Sequence, residues 1–422
     1  MKFLDNFVVK ENEQIELTKV DGDLEVKDGA VINIPAEVEY LVINGNLNCD
    51  GDIVIKGSIS ANNVFHRDGE LEITGNVKTK EVTVKSRAFR NGPLLLIGGS
   101  LECEEASIDG SLKVGEDLTA NDVDIMGSCS VAGIAKINEY EVNGSAKHGG
   151  DIYAGEVEVN GSLKAESNVI IEEEMEIGGS AKISGDLKCP KTEVGGSLLV
   201  QGTTECKQIE TGGSFRGERI AADEVSIGGS GRFTSADISS ELTVNGSVKC
   251  EESLKVPMLE INGSCRVGDD SNISECEVNG SMSTGHNLNF ETLNISGSMS
   301  CGNDGTGDTI DVNGSFKSQG LLKVASEINV DGNITGDKIE TGTMTVNGSL
   351  RCEETKADLI ILGKHSRARG TLIAKKVILK KGAKAETVIA DEVELGSRAR
   401  VTNLQAKIVN GEEYTEDIQE ED

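Results

Sequence analysis

Val244-Asn245-Gly246-Ser247-Val248-Lys249-Cys250 is followed, seventeen residues on, by Ile261-Asn262-Gly263-Ser264-Cys265-Arg266-Val267, and the two segments match in residue class at every position. The glycine of this segment falls at Gly110, Gly127, Gly144, Gly161, Gly179, Gly196, Gly213, Gly229, Gly246, Gly263, Gly280, Gly297, Gly314, Gly332 and Gly348. The fourteen intervals average 17 residues, and Ser follows the Gly at fourteen of the fifteen positions, Asn333 being the exception. A fixed period of this size marks a solenoid, in which each repeat touches mainly its neighbours and the ends stay open.

The phase of the apolar residues decides what kind of solenoid. Two residues before the Gly stand Ile108, Ile125, Val142, Val159 and their successors, Val or Ile at fourteen of fifteen places. Two after it stand Leu112, Cys129, Ala146, Leu163 and so on; four before it are residues such as Val123, Val157, Leu242 and Leu259. Polar residues fill the places between. Alternation with a period of two makes these strands with one buried face, and helical spacing does not fit. Further apolar pairs, such as Ile152/Ala154 and Leu254/Val256, imply about three short strands per 17-residue coil. The expected fold is all-β: a single-stranded parallel β-helix whose coils stack about 4.8 Å apart. The repeated Gly marks a corner that needs positive φ or has no room for a side chain. The Ser beside it forms an outward ladder; with no base repeating alongside, it is read as structure and not as a row of nucleophiles.

Composition narrows the function. At 422 residues the length alone would predict two or three globular domains, but the repeat overrides that. Aromatics are 3%, Trp is absent, Gly numbers 51 and Pro 4, which suits many tight corners and no core of large rings. The net charge of −31 makes nucleic acid an improper partner for the body of the chain. The charge is uneven: residues 361–410 carry eleven Lys/Arg against four Asp/Glu, and the last twelve residues carry seven acids. Lys375, Lys376, Lys380, Lys381, Lys384, Arg398 and Arg400 form a basic end, read either as a solvated face or as a surface for an acidic partner or anionic lipid.

No secretory signal opens the chain and no stretch has transmembrane length, so a cytoplasmic, reducing location is expected. The seven Asn-Gly-Ser triplets are then turn chemistry and not glycosylation sites. Coils are expected over residues 14–410, irregular over 14–99, regular over 99–348 and basic over 349–410. Gly45, Gly57, Gly75 and Gly99, at intervals of 12, 18 and 24, imply bulging loops near His66–Gly69 and Ser86–Pro93. Roughly 23 coils give a rod on the order of 110 Å long. Residues 1–13, with Phe3, Leu4, Phe7 and Val8, are read as a cap on the first coil or as a membrane-surface anchor, the cap taking precedence because an anionic body opposes anionic lipid. Residues 411–422 are read as a disordered acidic tail.

No cofactor, metal or catalytic site is expected. The four His share no phase, no Cys-x-x-Cys spacing exists, and Gly302–Asp308 is a lone calcium-like segment where calcium β-rolls stack many. Most Cys fall at inward phases as small apolar residues. Cys189 and Cys206, 17 apart at one phase, are expected to be stacked thiols in contact. Acids clustered in a groove, as in carbohydrate-cleaving β-helices, and the six-residue period of acyltransferases are not seen.

The segments Val244–Cys250, Ile295-Ser296-Gly297-Ser298-Met299 and Val330-Asp331-Gly332-Asn333-Ile334-Thr335-Gly336 resemble those of bactofilins, the polymer-forming cytoskeletal family, over roughly residues 40–410. That resemblance implies a right-handed triangular β-helix, nucleotide-independent filaments joined end to end, and scaffolding at the membrane or cell wall. The physical case points the same way, because terminal coils have backbone groups with no partner on one side. The expected function is therefore a non-enzymatic scaffold whose main partner is itself, with the membrane surface or cell-envelope proteins as further partners. The alternatives are a capped monomeric platform or spacer at a membrane or motility organelle, and a surface adhesin.

Overall fold

The structure, a computed structural model, describes residues 6–87 and 92–411. The chain divides into two compact units, Met1–Glu218 and Arg219–Asp422. Each is a solenoid of parallel β-strands, and no helix occurs among the described residues.

In the first unit, Phe7–Val9 pairs with Leu24–Val26, which pairs with Leu47–Asp50, then Asn63–Arg67, Glu81–Lys85 and Glu105–Ile108. A second ladder runs from Gln14–Glu16 through Val31–Asn33, Ile53–Lys56 and Glu70–Ile73. The division into strands then changes. Leu118–Ile125 is one strand that pairs with both Leu101–Glu102 and Glu105–Ile108, because one corner has opened into extended chain. In the second unit the merging goes further: Asn333–Val346, Ser349–Leu362, Arg367–Leu379, Lys384–Leu395 and Arg400–Gly411 each pair along their length with the next.

The seventeen-residue register places like on like. Val142 lies directly beside Val159, and Leu259, Cys276 and Leu293 form a column in the second unit. The inward residues are almost fully buried, Val142, Val159 and Leu293 at 0% exposure. Each buried Val, Leu or Ile contributes about 1.5–3 kcal/mol relative to an exposed one, so many small rungs replace one large core. Where a rung lacks a side chain, a neighbour fills the space: a Cβ on Gly231 would meet Ile227 at 2.8 Å and Val248 at 3.0 Å, and one on Gly307 would meet the Phe290 ring at 2.1 Å.

One of the early glycine spacings has a different origin from the one expected. Gly75 N donates to Gly57 O at 3.0 Å and Gly99 N to Gly75 O at 3.1 Å, so these three share a column that continues through Glu116, Gly133 and Gly150. Gly45 stacks on Gly22 in another column, while the regular Gly-Ser column runs back from Ser111 to Pro93. The interval of 12, from Gly45 to Gly57, therefore crosses columns, whereas 18 and 24 are true coil lengths, and the longer one reflects the widening between Lys85 and Leu94, where a bulge is expected. The first bulge lies elsewhere too. Gln14 pairs with Val31 but Lys19 with Val42, which puts the extra residues between Asn33 and Leu41. His66–Gly69 is a tight corner, with Asp68 and Gly69 at φ of 56° and 74°. The register widens again between Lys85 and Leu94, where Glu81 pairs with Glu105. Phe7–Val9, within the segment read as a cap, is a strand of the first ladder, with Phe7 and Val8 39% and 46% exposed. Phe3, Leu4 and residues 412–422 lie outside the described residues.

Candidate assembly surfaces

The corner glycines are required for space. None of the fifteen has a positive φ; the glycines that do are at other positions, such as Gly29, Gly51 and Gly57. Instead, at fourteen of the fifteen the corner sits on the carbonyl of the coil before. A Cβ on Gly127 would lie 2.3 Å from Gly110 O, and one on Gly263 would lie 1.8 Å from Gly246 O. The flanking polar residues form ladders. Ser214 Oγ donates to Ser197 Oγ at 2.8 Å, and Asn262 and Asn279 donate through Nδ2 to Asn245 and Asn262 at 3.1 and 3.2 Å. Five of the Asn-Gly-Ser asparagines, Asn143, Asn160, Asn245, Asn262 and Asn279, are thus tied to a copy one coil away, while Asn347 donates to Asp331.

The two cysteines expected to stack are on neighbouring coils. Cys189 and Cys206 are register partners and both are free. Cys189 Sγ donates to Lys191 O at 2.8 Å, and Cys206 Sγ lies 3.6 Å from Thr192 Oγ1. Burial raises both, Cys206 to about 12, so neither offers a ready thiolate.

Two histidines that sequence periodicity left unplaced are core residues. His148 is fully buried, its Nε2 2.9 Å from Tyr140 Oη and the rings edge-to-face at 5.5 Å. Burial pulls it down to about 4. His66 is buried and lowered for the same first reason, with Nε2 3.3 Å from Gly69 O. The inward phase of His148, four after Gly144, was the available signal, hidden because His is usually read as a polar residue. Among the described residues no three His, Cys, Asp or Glu converge to hold a metal ion. Asp304, in the calcium-like segment, accepts from Leu321 N at 2.8 Å.

The basic residues separate into two groups. Lys375 pairs with Asp358 at 2.7 Å, and Lys376 bridges Glu394 at 2.5 Å and Glu392 at 3.2 Å. These carboxylates raise both ammonium groups. Lys380, Lys381, Lys384, Arg398 and Arg400 make no ion pair among the described residues and stand exposed at one corner of the last coils. His365, Gly382 and Arg398 turn that corner at φ of 61°, 69° and 60° on successive coils.

The terminal coils present strand edges. Among the described residues, Arg400–Gly411 pairs only with Lys384–Leu395. Its inward phase, read from its partners, includes Val401, Leu404 and Val409, opposite Ala385, Val388 and Val393. Val393 is 0% exposed, while Val409 is 44% exposed because no strand covers it among the described residues. In the first unit Phe7 stands opposite the buried Leu24 yet is 39% exposed. No helix among the described residues is long and apolar enough to cross a membrane. Comparison with protein-family models, with curated proteins and with solved structures found no match to this chain.

Proposed function

We propose that this chain is a non-enzymatic structural scaffold, bactofilin-like in its repeats, that joins copies of itself end to end into filaments needing no nucleotide. In this reading each coil is three-sided and right-handed, since a strand-to-parallel-strand crossover takes that hand in nearly all proteins. The scaffold works in the cytoplasm, with a membrane surface or cell-envelope proteins as secondary partners.

The observation that carries the reading is the last strand, Arg400–Gly411. It offers a twelve-residue edge with one ladder partner among the described residues and leaves Val409 half exposed in register with a buried column. A strand laid along it would satisfy the free backbone groups and cover Val401, Leu404 and Val409 at once. The first strand, with Phe7 partly bare, is the matching edge at the other end. Negative-stain imaging of the purified protein without nucleotide tests this: fibres one molecule wide are expected. Monodisperse particles at high concentration would overturn it and favour a capped monomeric platform.

A further inference from the structure

The first unit carries two neighbouring columns of carboxylates on one outward face. Asp124, Glu141, Glu158, Glu176, Glu193 and Glu210 stand in register on consecutive coils. Two residues upstream on the same strands, Glu105, Asp122, Glu139, Glu156 and Glu174 form a second column. Like charges directly opposite in a sheet destabilise it, and here they recur about every 4.8 Å. Lys191 is the cation set into this face. Its Nζ sits 2.5 Å from Glu174 and 2.6 Å from Glu193, and both carboxylates raise it. Among the described residues the face therefore has one place where an ammonium bridges two glutamates, and Glu139, Glu141, Glu156 and Glu158 make no ion pair.

The last coils of the second unit carry the opposite pattern. Arg367, Lys384 and Arg400 are register partners on consecutive coils, all exposed, none ion-paired among the described residues. Lys364, Lys381 and Arg398 stand on the adjoining corner of the same three coils, where His365 N donates to Lys381 O and Gly382 N to Ser397 O. Glu386 lies beside this column, but its Oε2 accepts from Gly370 N at 2.9 Å. In a chain of net charge −31, none of these cations makes an ion pair among the described residues.

We propose that the Arg367–Lys384–Arg400 column of one molecule docks side-on against the Glu141–Glu158–Glu176 column of a second copy. Both columns have the coil-to-coil rise of a parallel ladder, about 4.8 Å, so a match at one rung is a match at all three. A single exposed pair contributes about 0–1 kcal/mol, but a row fixed on two rigid sheets acts as a network. The contact stands beside the end-to-end reading and does not depend on it: it would gather filaments, or single molecules, laterally. A second copy is the occupant that the chain's own charge complementarity supports; an anionic membrane is the competing outcome of the test.

The test uses the full-length protein and two charge-reversed variants, Arg367→Glu/Lys384→Glu/Arg400→Glu and Glu141→Lys/Glu158→Lys/Glu176→Lys. Sedimentation velocity at about 0.01 M salt should show lateral association of the wild type that vanishes at about 1 M, as the screening length falls from about 30 Å to about 3 Å. Each variant alone should associate at least about tenfold more weakly, and an equimolar mixture of the two should recover, because each supplies the column the other lacks. Single fibres should still form in the Glu141→Lys/Glu158→Lys/Glu176→Lys variant, which leaves the last strand untouched and so separates this contact from the end-to-end one. No recovery in the mixture, or wild-type protein that stays unassociated yet floats with phosphatidylglycerol vesicles through the Arg367 column, would overturn the proposal.

Discussion

At the scale of single residues, the side chains least expected from the repeat are the most informative. His148 occupies an inward phase where its neighbours in the column are Val131 and Ala165. It is held neutral, pulled from 6.5 to about 4 by burial, with Tyr140 its one polar partner and Nδ1 unbonded. The unfolded chain would bind this proton near 6.5, so between about 6.5 and about 4 the unfolded state carries more protons than the folded one. The stability is intact above that window and is lost as pH falls through it, up to about 3 kcal/mol. Tyr140→Phe/His148→Leu removes both polar groups together, a replacement expected to be near neutral at pH 7. Urea unfolding of both proteins across the window should show the wild type losing about 3 kcal/mol relative to the variant. Parallel curves would show that His148 does not titrate on unfolding.

At the scale of the strand and its corner, the period alone determined most of what was found. The alternation around Gly246 and Gly263 gave the parallel stacking and the buried columns, because one residue of slip would turn every apolar side chain outward. What the glycine does at the corner was left open by sequence, since positive φ and crowding both select Gly; only the 1.8 Å approach to Gly246 O chooses between them. Gly45 misled for a related reason: it turns a different corner from Gly57, Gly75 and Gly99, and spacing cannot say which corner a given glycine turns. The crowding argument separates two glycines of the second unit. Gly263→Ala forces Cβ against backbone and should cost about 1–3 kcal/mol. Gly336→Ala meets nothing nearer than 3.8 Å at an ordinary φ, so it should be neutral or stabilise by about 0.4–1 kcal/mol. Equal unfolding midpoints for the two variants would refute crowding as the reason for the repeated Gly.

At the scale of the whole molecule, net charge and open edges pull association in opposite directions with salt. Legibility ends here: the excess of lysine and arginine over residues 361–410 was visible in sequence, but not that Lys375 and Lys376 are neutralised by Asp358, Glu392 and Glu394 while the Arg367 column is left bare. Those partners are distant in sequence by about a coil, and which side of a corner a residue faces is set by stacking. A net charge of −31 makes copies repel at low ionic strength, so edge-to-edge joining through Val401, Leu404 and Val409 should strengthen as salt screens that repulsion. Column-to-column pairing should weaken over the same range. Fibre length and bundle width, measured on one set of images along a salt series, should therefore change in opposite senses. Val401→Lys/Val409→Lys puts charge on the open edge, as natural edge strands do. It should abolish lengthening at every salt concentration while the low-salt lateral association persists. If it shortens and unbundles fibres together, a single contact underlies both, and the terminal edge is not a separate joining surface.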